Sequence, residues 1–213
     1  MRSIDWEKIA RLVLGLAIIG GAIFLGWTIG PKPDNAATDA SELDLDAPVG
    51  GPFTLVGVDG EPVSDTDFRG RYMLIVFGYT FCPDICPTSL LAVGRALEEL
   101  ETTQPGLAAK IVPIFVTLDP ERDTPEQMKR YLGNFDSRIV GLSGDPTAIR
   151  RMATAYGVRY EKVEDPSVEG YLVDHTTNIM FMGPDGAYLT HFSPLTPPPM
   201  LAEAIARYMG TSA

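Results

Sequence analysis

Tyr72-Met73-Leu74-Ile75-Val76-Phe77-Gly78-Tyr79-Thr80-Phe81-Cys82-Pro83-Asp84-Ile85-Cys86-Pro87 decides how the rest of the chain is read. Its first half is an unbroken apolar run, the pattern of a strand covered on both faces. Its second half holds both cysteines of the chain, separated by three residues. Pro87 suits the first position of a helix, and Leu90, Val93, Leu97 and Leu100 then recur at helical spacing. The thiols are therefore predicted on a loop that faces a helix N-terminus. The partial positive charge there stabilises a thiolate, the reactive and metal-binding form of cysteine.

Working outward, Ile111 to Leu118 is a second buried-strand run, and the order strand, helix, strand predicts a right-handed crossover and a parallel pair. Ile139 to Leu142 reads as a third parallel strand. Thr124-Pro125-Glu126-Gln127 has the form of a capping box opening a helix to about Asn134. Asp145-Pro146 opens another helix, whose Ile149, Met152 and Tyr156 share one face before Gly157 ends it. Two hairpins are predicted: Phe53 to Val63 around Asp59-Gly60, and residues 178–182 with 187–192 around Pro184-Asp185-Gly186. A helix from Pro198 to Met209, with Gly210 just past its end, closes the chain. The fold class is α/β, with helices covering a mixed sheet.

Before this domain, Leu12 to Ile29 is a run of 18 residues without a charge, which as a helix spans about 27 Å, close to the bilayer's hydrocarbon thickness. Trp27 sits at its far end like an interfacial anchor, which favours an uncleaved span over a cleaved export signal. Arg2, Lys8 and Arg11 precede the run and only Lys32 follows it closely, so the N-terminus is placed in the cytoplasm. The predicted organisation is a cytoplasmic segment 1–11, a transmembrane anchor 12–30, a flexible linker 31–47 and a globular domain 48–213. The simplest setting is a bacterial inner membrane, single-pass, with the domain in the periplasm. The linker lets that domain range roughly 20–25 Å from the bilayer surface.

The formal charge of −11 argues against nucleic-acid binding and against an electrostatic grip on anionic lipid. After Gly30 there remain 14 basic and 26 acidic residues, so the acidity belongs to the domain. Two neighbouring cysteines form one unit: a bridge, a redox dithiol or a metal clamp. Dithiol oxidoreductases mostly carry two residues between their cysteines, whereas three allow the sulfurs to spread as a clamp. The chain has two histidines, and a soft copper(I) ion takes two thiolates plus an imidazole. His191 lies in the alternating run Tyr188 to Phe192, where a solvent-side histidine is ordinary. His175 falls in Asp174-His175-Thr176-Thr177, read as a loop feeding a strand, and loops carry sites more often than strand middles do. Asp119-Pro120-Glu121-Arg122-Asp123 follows the second parallel strand and should share the sheet edge with the cysteines. Asp84, Asp119 and Asp174 are candidates for orienting ligands, with solvated turn carboxylates as the preferred reading.

Tyr79 to Pro87, Leu118 to Pro125 and Asp174-His175 together resemble the Sco/SenC family of copper proteins. The likeness runs from about Gly50 to the C-terminal helix and includes the anchor. It implies a thioredoxin-like fold with an added N-terminal β-hairpin, and copper held by Cys82, Cys86 and His175. It also implies a metallochaperone that delivers copper to, or reduces the thiols of, the dinuclear copper site of cytochrome c oxidase. The partners so implied are the copper-bearing oxidase subunit and other copper chaperones or thiol reductants. The position a cis-proline usually holds in this fold is threonine here, which weakens a general disulfide-exchange reading. The alternative is a thiol-disulfide reductase using Cys82 and Cys86 as a redox pair. A thiol peroxidase ranks below both, because a Pro-x-x-x-Thr-x-x-Cys arrangement is missing.

Overall fold

The structure, a computed structural model, describes residues 48–211 apart from 167 and 169. The predicted anchor at 12–30 and the linker at 31–47 lie outside the described residues. Among the described residues no helix is long and apolar enough to cross a membrane.

Strand β3 (Tyr72–Gly78) is buried throughout, as is β4 (Ile111–Thr117). They pair in parallel, from Tyr72 opposite Ile111 to Gly78 opposite Thr117. Successive side chains leave a strand on opposite faces. Met73, Ile75 and Phe77 therefore enter one core while Tyr72, Leu74 and Val76 enter another. A run that must be apolar on both faces shows no alternation, which is why it stands out in the sequence.

Helix α1 (Ile85–Thr103) and the short α2 (Pro105–Ala108) connect these strands. Leu90, Val93, Leu97 and Leu100 of α1 lie in the second core. Helix α3 (Pro125–Leu132) adds Met128 and Leu132 to that core, β5 (Val140–Ser143) pairs in parallel with β4, and α4 (Pro146–Ala155) puts Ile149 and Met152 into the first core. On the far side of β5 lies the N-terminal hairpin of β1 (Thr54–Gly57) and β2 (Pro62–Ser64). After an antiparallel pair, β6 (Tyr160–Glu164) and β7 (Tyr171–His175), the chain returns to the main sheet as β8 (Ile179–Met182) and β9 (Tyr188–Phe192). Helix α5 (Pro198–Thr211) closes it, with Leu201 and Ile205 in the second core. The strand order is β2-β1-β5-β4-β3-β8-β9, with β6-β7 as a separate two-stranded sheet. The block β4-β3-β8-β9, with α1 and α5 on its second-core face, is the thioredoxin-like arrangement that the resemblance implies.

Several local signals act as predicted. Thr124 caps α3 by accepting from the Gln127 N–H at 3.2 Å, and Asp145 caps α4 by accepting from Thr147 and Ala148 at 2.9 and 3.0 Å. Gly157 takes φ +68°, the left-handed turn that stops α4. Other details differ. Gln127 does not return the cap, because its amide donates to the Thr80 hydroxyl and accepts from Arg130 instead. Helix α1 starts at Ile85 rather than Pro87, and α5 continues through Gly210. The β6-β7 hairpin is absent from the sequence reading: β6 is almost wholly exposed, so it has no buried face to create an apolar alternation. His175 is accordingly the last residue of a strand, not a loop residue.

Candidate metal centre

The two cysteines sit where the central strand gives way to α1. The turn after β3 is closed by the Cys82 N–H donating to the Tyr79 carbonyl at 3.2 Å. Because α1 begins at Ile85, Cys86 lies inside the first turn of the helix and not on a loop before it. Its side chain is buried and reaches back to β3, where Gly78 leaves room for the sulfur. Cys82 is half-buried, and both thiols are free.

Asp84 stands at the N-cap of α1, yet its side chain caps nothing. The backbone N–H groups of Asp84 and Cys86 instead serve the sulfur of Cys82. A thiolate that accepts donors at a helix N-terminus is stabilised by them and by the helix dipole. The hydrogen bond from the Cys86 thiol pulls Cys82 down most, and with those N–H groups it outweighs partial burial, to about 4. Cys86 is pushed up, first because it keeps its proton in the bond to Cys82 and then by burial. The pair is thus one half-exposed thiolate and one buried thiol. The rate at which iodoacetamide alkylates Cys82 should stay flat from about pH 8 to about pH 5, where an ordinary thiol loses roughly tenfold per unit. A rate that already falls tenfold per unit below pH 8 would count against the thiolate.

His175 reaches the cysteines from β7, where it pairs with Tyr160 of β6. Its Nδ1 lies 2.8 Å from the Thr176 carbonyl oxygen. A carbonyl only accepts, so Nδ1 carries the proton and Nε2 keeps a bare lone pair. That Nε2 is 3.5 Å from the Cys86 sulfur. The imidazole also meets the ring of Tyr79 edge-on, with centroids 6.0 Å apart. One donor atom each from Cys82, Cys86 and His175 lies within 4.8 Å of the others. Donors about 2.0–2.3 Å from a common ion lie roughly 3.5–4.5 Å from each other. Two sulfurs and one bare imidazole nitrogen are the donors a soft ion such as copper(I) takes. An open groove lined by Arg159, Glu161, Asp174 and Thr176 gives solvent access to His175. The other histidine is elsewhere: His191 is exposed, with its Nδ1 2.6 Å from the Tyr188 hydroxyl.

The acidic loop after β4 departs from its sequence reading. Asp84 and Asp174 are exposed turn and strand carboxylates, but Asp119 and Asp123 are 0% and 1% exposed. Asp123 accepts from the Thr80 N–H at 3.0 Å and from the Thr80 and Thr117 hydroxyls, each at 2.6 Å. Burial pushes its carboxyl up against the pull of these bonds. Asp119 pairs with Arg122 and accepts from the Tyr171 hydroxyl at 2.8 Å. The spacing of Asp119, Arg122 and Asp123 is visible in the sequence; their partners, 43 and 52 residues away, are not.

Residues 41–210 match the SCO1/SenC family. The chain is 45% identical over 136 residues to the mitochondrial SCO1 homolog 2 of Arabidopsis thaliana, covering 64% of this chain and 48% of that one. It is 38% identical over 210 residues to the human mitochondrial SCO1 homolog, covering 97% of this chain and 67% of that one. The chain thus spans between about half and two thirds of the length of these relatives. Among solved structures, copper-bound ScoI of Bradyrhizobium japonicum superposes with a TM-score of 0.67 at 41% identity, over 75% of this chain and 99% of that one.

Proposed function

The chain belongs to the SCO1/SenC family, and from that premise we propose that it is a copper metallochaperone serving the dinuclear copper site of cytochrome c oxidase. Cys82, Cys86 and His175 are the residues assigned to hold the ion. The observation that carries the reading is the approach of two sulfurs and one bare imidazole nitrogen to within 4.8 Å. Copper is the cargo this donor set suits: thiolates hold copper(I), and the imidazole helps the site tolerate copper(II). Cys82 is already a thiolate and receives the ion first; Cys86 then gives up its proton and closes the clamp. Release proceeds through ligands shared with the acceptor's thiols. In this reading residues 12–30 anchor the chain in a bacterial inner membrane, and the linker 31–47 presents the domain to the oxidase subunit on the periplasmic side. Other copper chaperones or thiol reductants would load and reset it.

The polarity of the cysteine pair favours a second reading, a thiol-disulfide reductase for the same acceptor. The Cys82 thiolate attacks one sulfur of an acceptor disulfide, breaking that bond and expelling the other sulfur as a thiolate. Cys86 then loses its proton and attacks Cys82. The mixed disulfide breaks, the acceptor leaves with two electrons, and a Cys82–Cys86 bridge remains. The two readings part at His175. In His175→Ala we expect copper(II) affinity to fall by roughly 10- to 100-fold, copper(I) affinity to change little, and oxidase assembly to fail. Unchanged copper(II) affinity contradicts the ligand assignment, and normal oxidase assembly favours the reductase.

A further inference from the structure

We propose that the loop between β4 and α3, residues 118–124, is a yoke that sets the distance between His175 and the two cysteines. This proposal rests on the copper reading above and names the residues that position its ligands. The need for such a device follows from the topology. The cysteines hang on β3 and α1 of the main sheet, whereas His175 ends a hairpin that belongs to a separate two-stranded sheet. Among the described residues no strand ladder joins β7 to the main sheet. Apart from the link 176–178 to β8, side chains tie it to the body of the domain, and the loop holds both sides at once.

On the cysteine side, Asp123 accepts three hydrogen bonds, two of them from Thr80, two residues before Cys82. Leu118 adds a backbone bond to the Gly78 carbonyl at 2.7 Å. On the histidine side, Asp119 accepts from the Tyr171 hydroxyl at 2.8 Å, and Arg122 Nη1 donates to the Tyr171 carbonyl at 2.9 Å. Tyr171 is four residues before His175 on the same strand. The guanidinium also lies over the Tyr171 ring, 3.8 Å from its centroid, and under Phe81 beside the cysteines at 4.9 Å. Arg122 therefore touches a neighbour of each half of the ligand set, while its Nε is fixed by the buried Asp119. A planar fork that donates in two directions and stacks on two rings is a role lysine cannot reproduce.

The two sides predict different losses. Arg122→Lys and Tyr171→Phe loosen the histidine alone, so copper(II) affinity falls about tenfold while copper(I) affinity stays within about twofold. Thr80→Val loosens the cysteine turn, so both oxidation states lose about tenfold. The same variants are read without metal. Nuclear Overhauser contacts between the His175 and Tyr79 rings, whose centroids are 6.0 Å apart, weaken in Arg122→Lys and Tyr171→Phe. Backbone amide shifts of β3, β4 and β8 report that the main sheet is intact in each variant. An undisturbed His175–Tyr79 contact in both histidine-side variants overturns the proposal, as does an equal loss of both copper affinities in Tyr171→Phe. Since the ring contact is measured on metal-free protein, it decides the positioning role even if the wild-type domain binds no copper.

Discussion

Cys86→Ala is expected to lose copper(I) affinity by roughly a thousandfold or more, the largest functional effect of any single substitution proposed. Only Cys82 and His175 remain as donors, too few to complete a three-ligand site. The substitution also acts on the ligand it leaves behind. The hydrogen bond from the Cys86 thiol is the main reason Cys82 is acidic, so without it the Cys82 thiol moves back up. At neutral pH the remaining sulfur then binds protons in competition with metal. Folding should survive. Cys86 is 1% exposed and loses one sulfur atom, a small cavity costing about 1–2 kcal/mol. Two measurements on one sample check this: competition with a copper(I) chelator and the pH profile of Cys82 alkylation. Unchanged copper affinity would sink the proposed site, and an unchanged alkylation profile would refute the hydrogen-bond account of the thiolate.

Gly78→Ala should damage the fold and the site together. A Cβ at this position would lie 2.6 Å from the Cys86 sulfur and 3.1 Å from Phe115 Cε2. Neither neighbour is free to withdraw. Phe115 is fully buried in β4, and Cys86 has a single side-chain torsion, whose rotation carries the sulfur away from His175. The strand cannot shift either, since Gly78 pairs with Thr117 and its carbonyl accepts from Leu118. Overpacking of this kind costs about 2–3 kcal/mol, or roughly 4–12 °C in the melting temperature of a domain this size. Because the displaced atom is a proposed ligand, copper(I) affinity should fall by about 100-fold as well. A metal-free melting temperature and a copper affinity both equal to wild type would show that the contact relaxes at no cost.

The thresholds of legibility follow from these particulars. The run Tyr72 to Phe77 was readable because a strand buried on both faces leaves an uninterrupted apolar signature, and Thr124 and Asp145 were readable because a cap acts within three residues. The hairpin carrying His175 was not, because exposed polar strands have no periodicity of their own. Asp119 was misread, and Asp123 passed over, for a related reason. A carboxylate in a Pro- and Arg-containing turn looks solvated until its partners are known, and Thr80, Thr117 and Tyr171 become partners only once β3, β4 and β7 are in place.

By itself, the sequence determined the pairing of the cysteines, the helix that follows them and the parallel pair that carries them, because those depend on interactions between near neighbours. Tertiary structure alone decided that a helix with no side-chain cap lends its N–H groups to the Cys82 sulfur, and how near His175, already favoured over His191 in the sequence, comes to Cys86. The reason is physical. Cys86 and His175 are 89 residues apart, and their approach to 3.5 Å comes from sheet topology and from buried side chains that join two separate sheets. A pattern along the chain can name each donor, but only the packing of the chain on itself sets the distance between them.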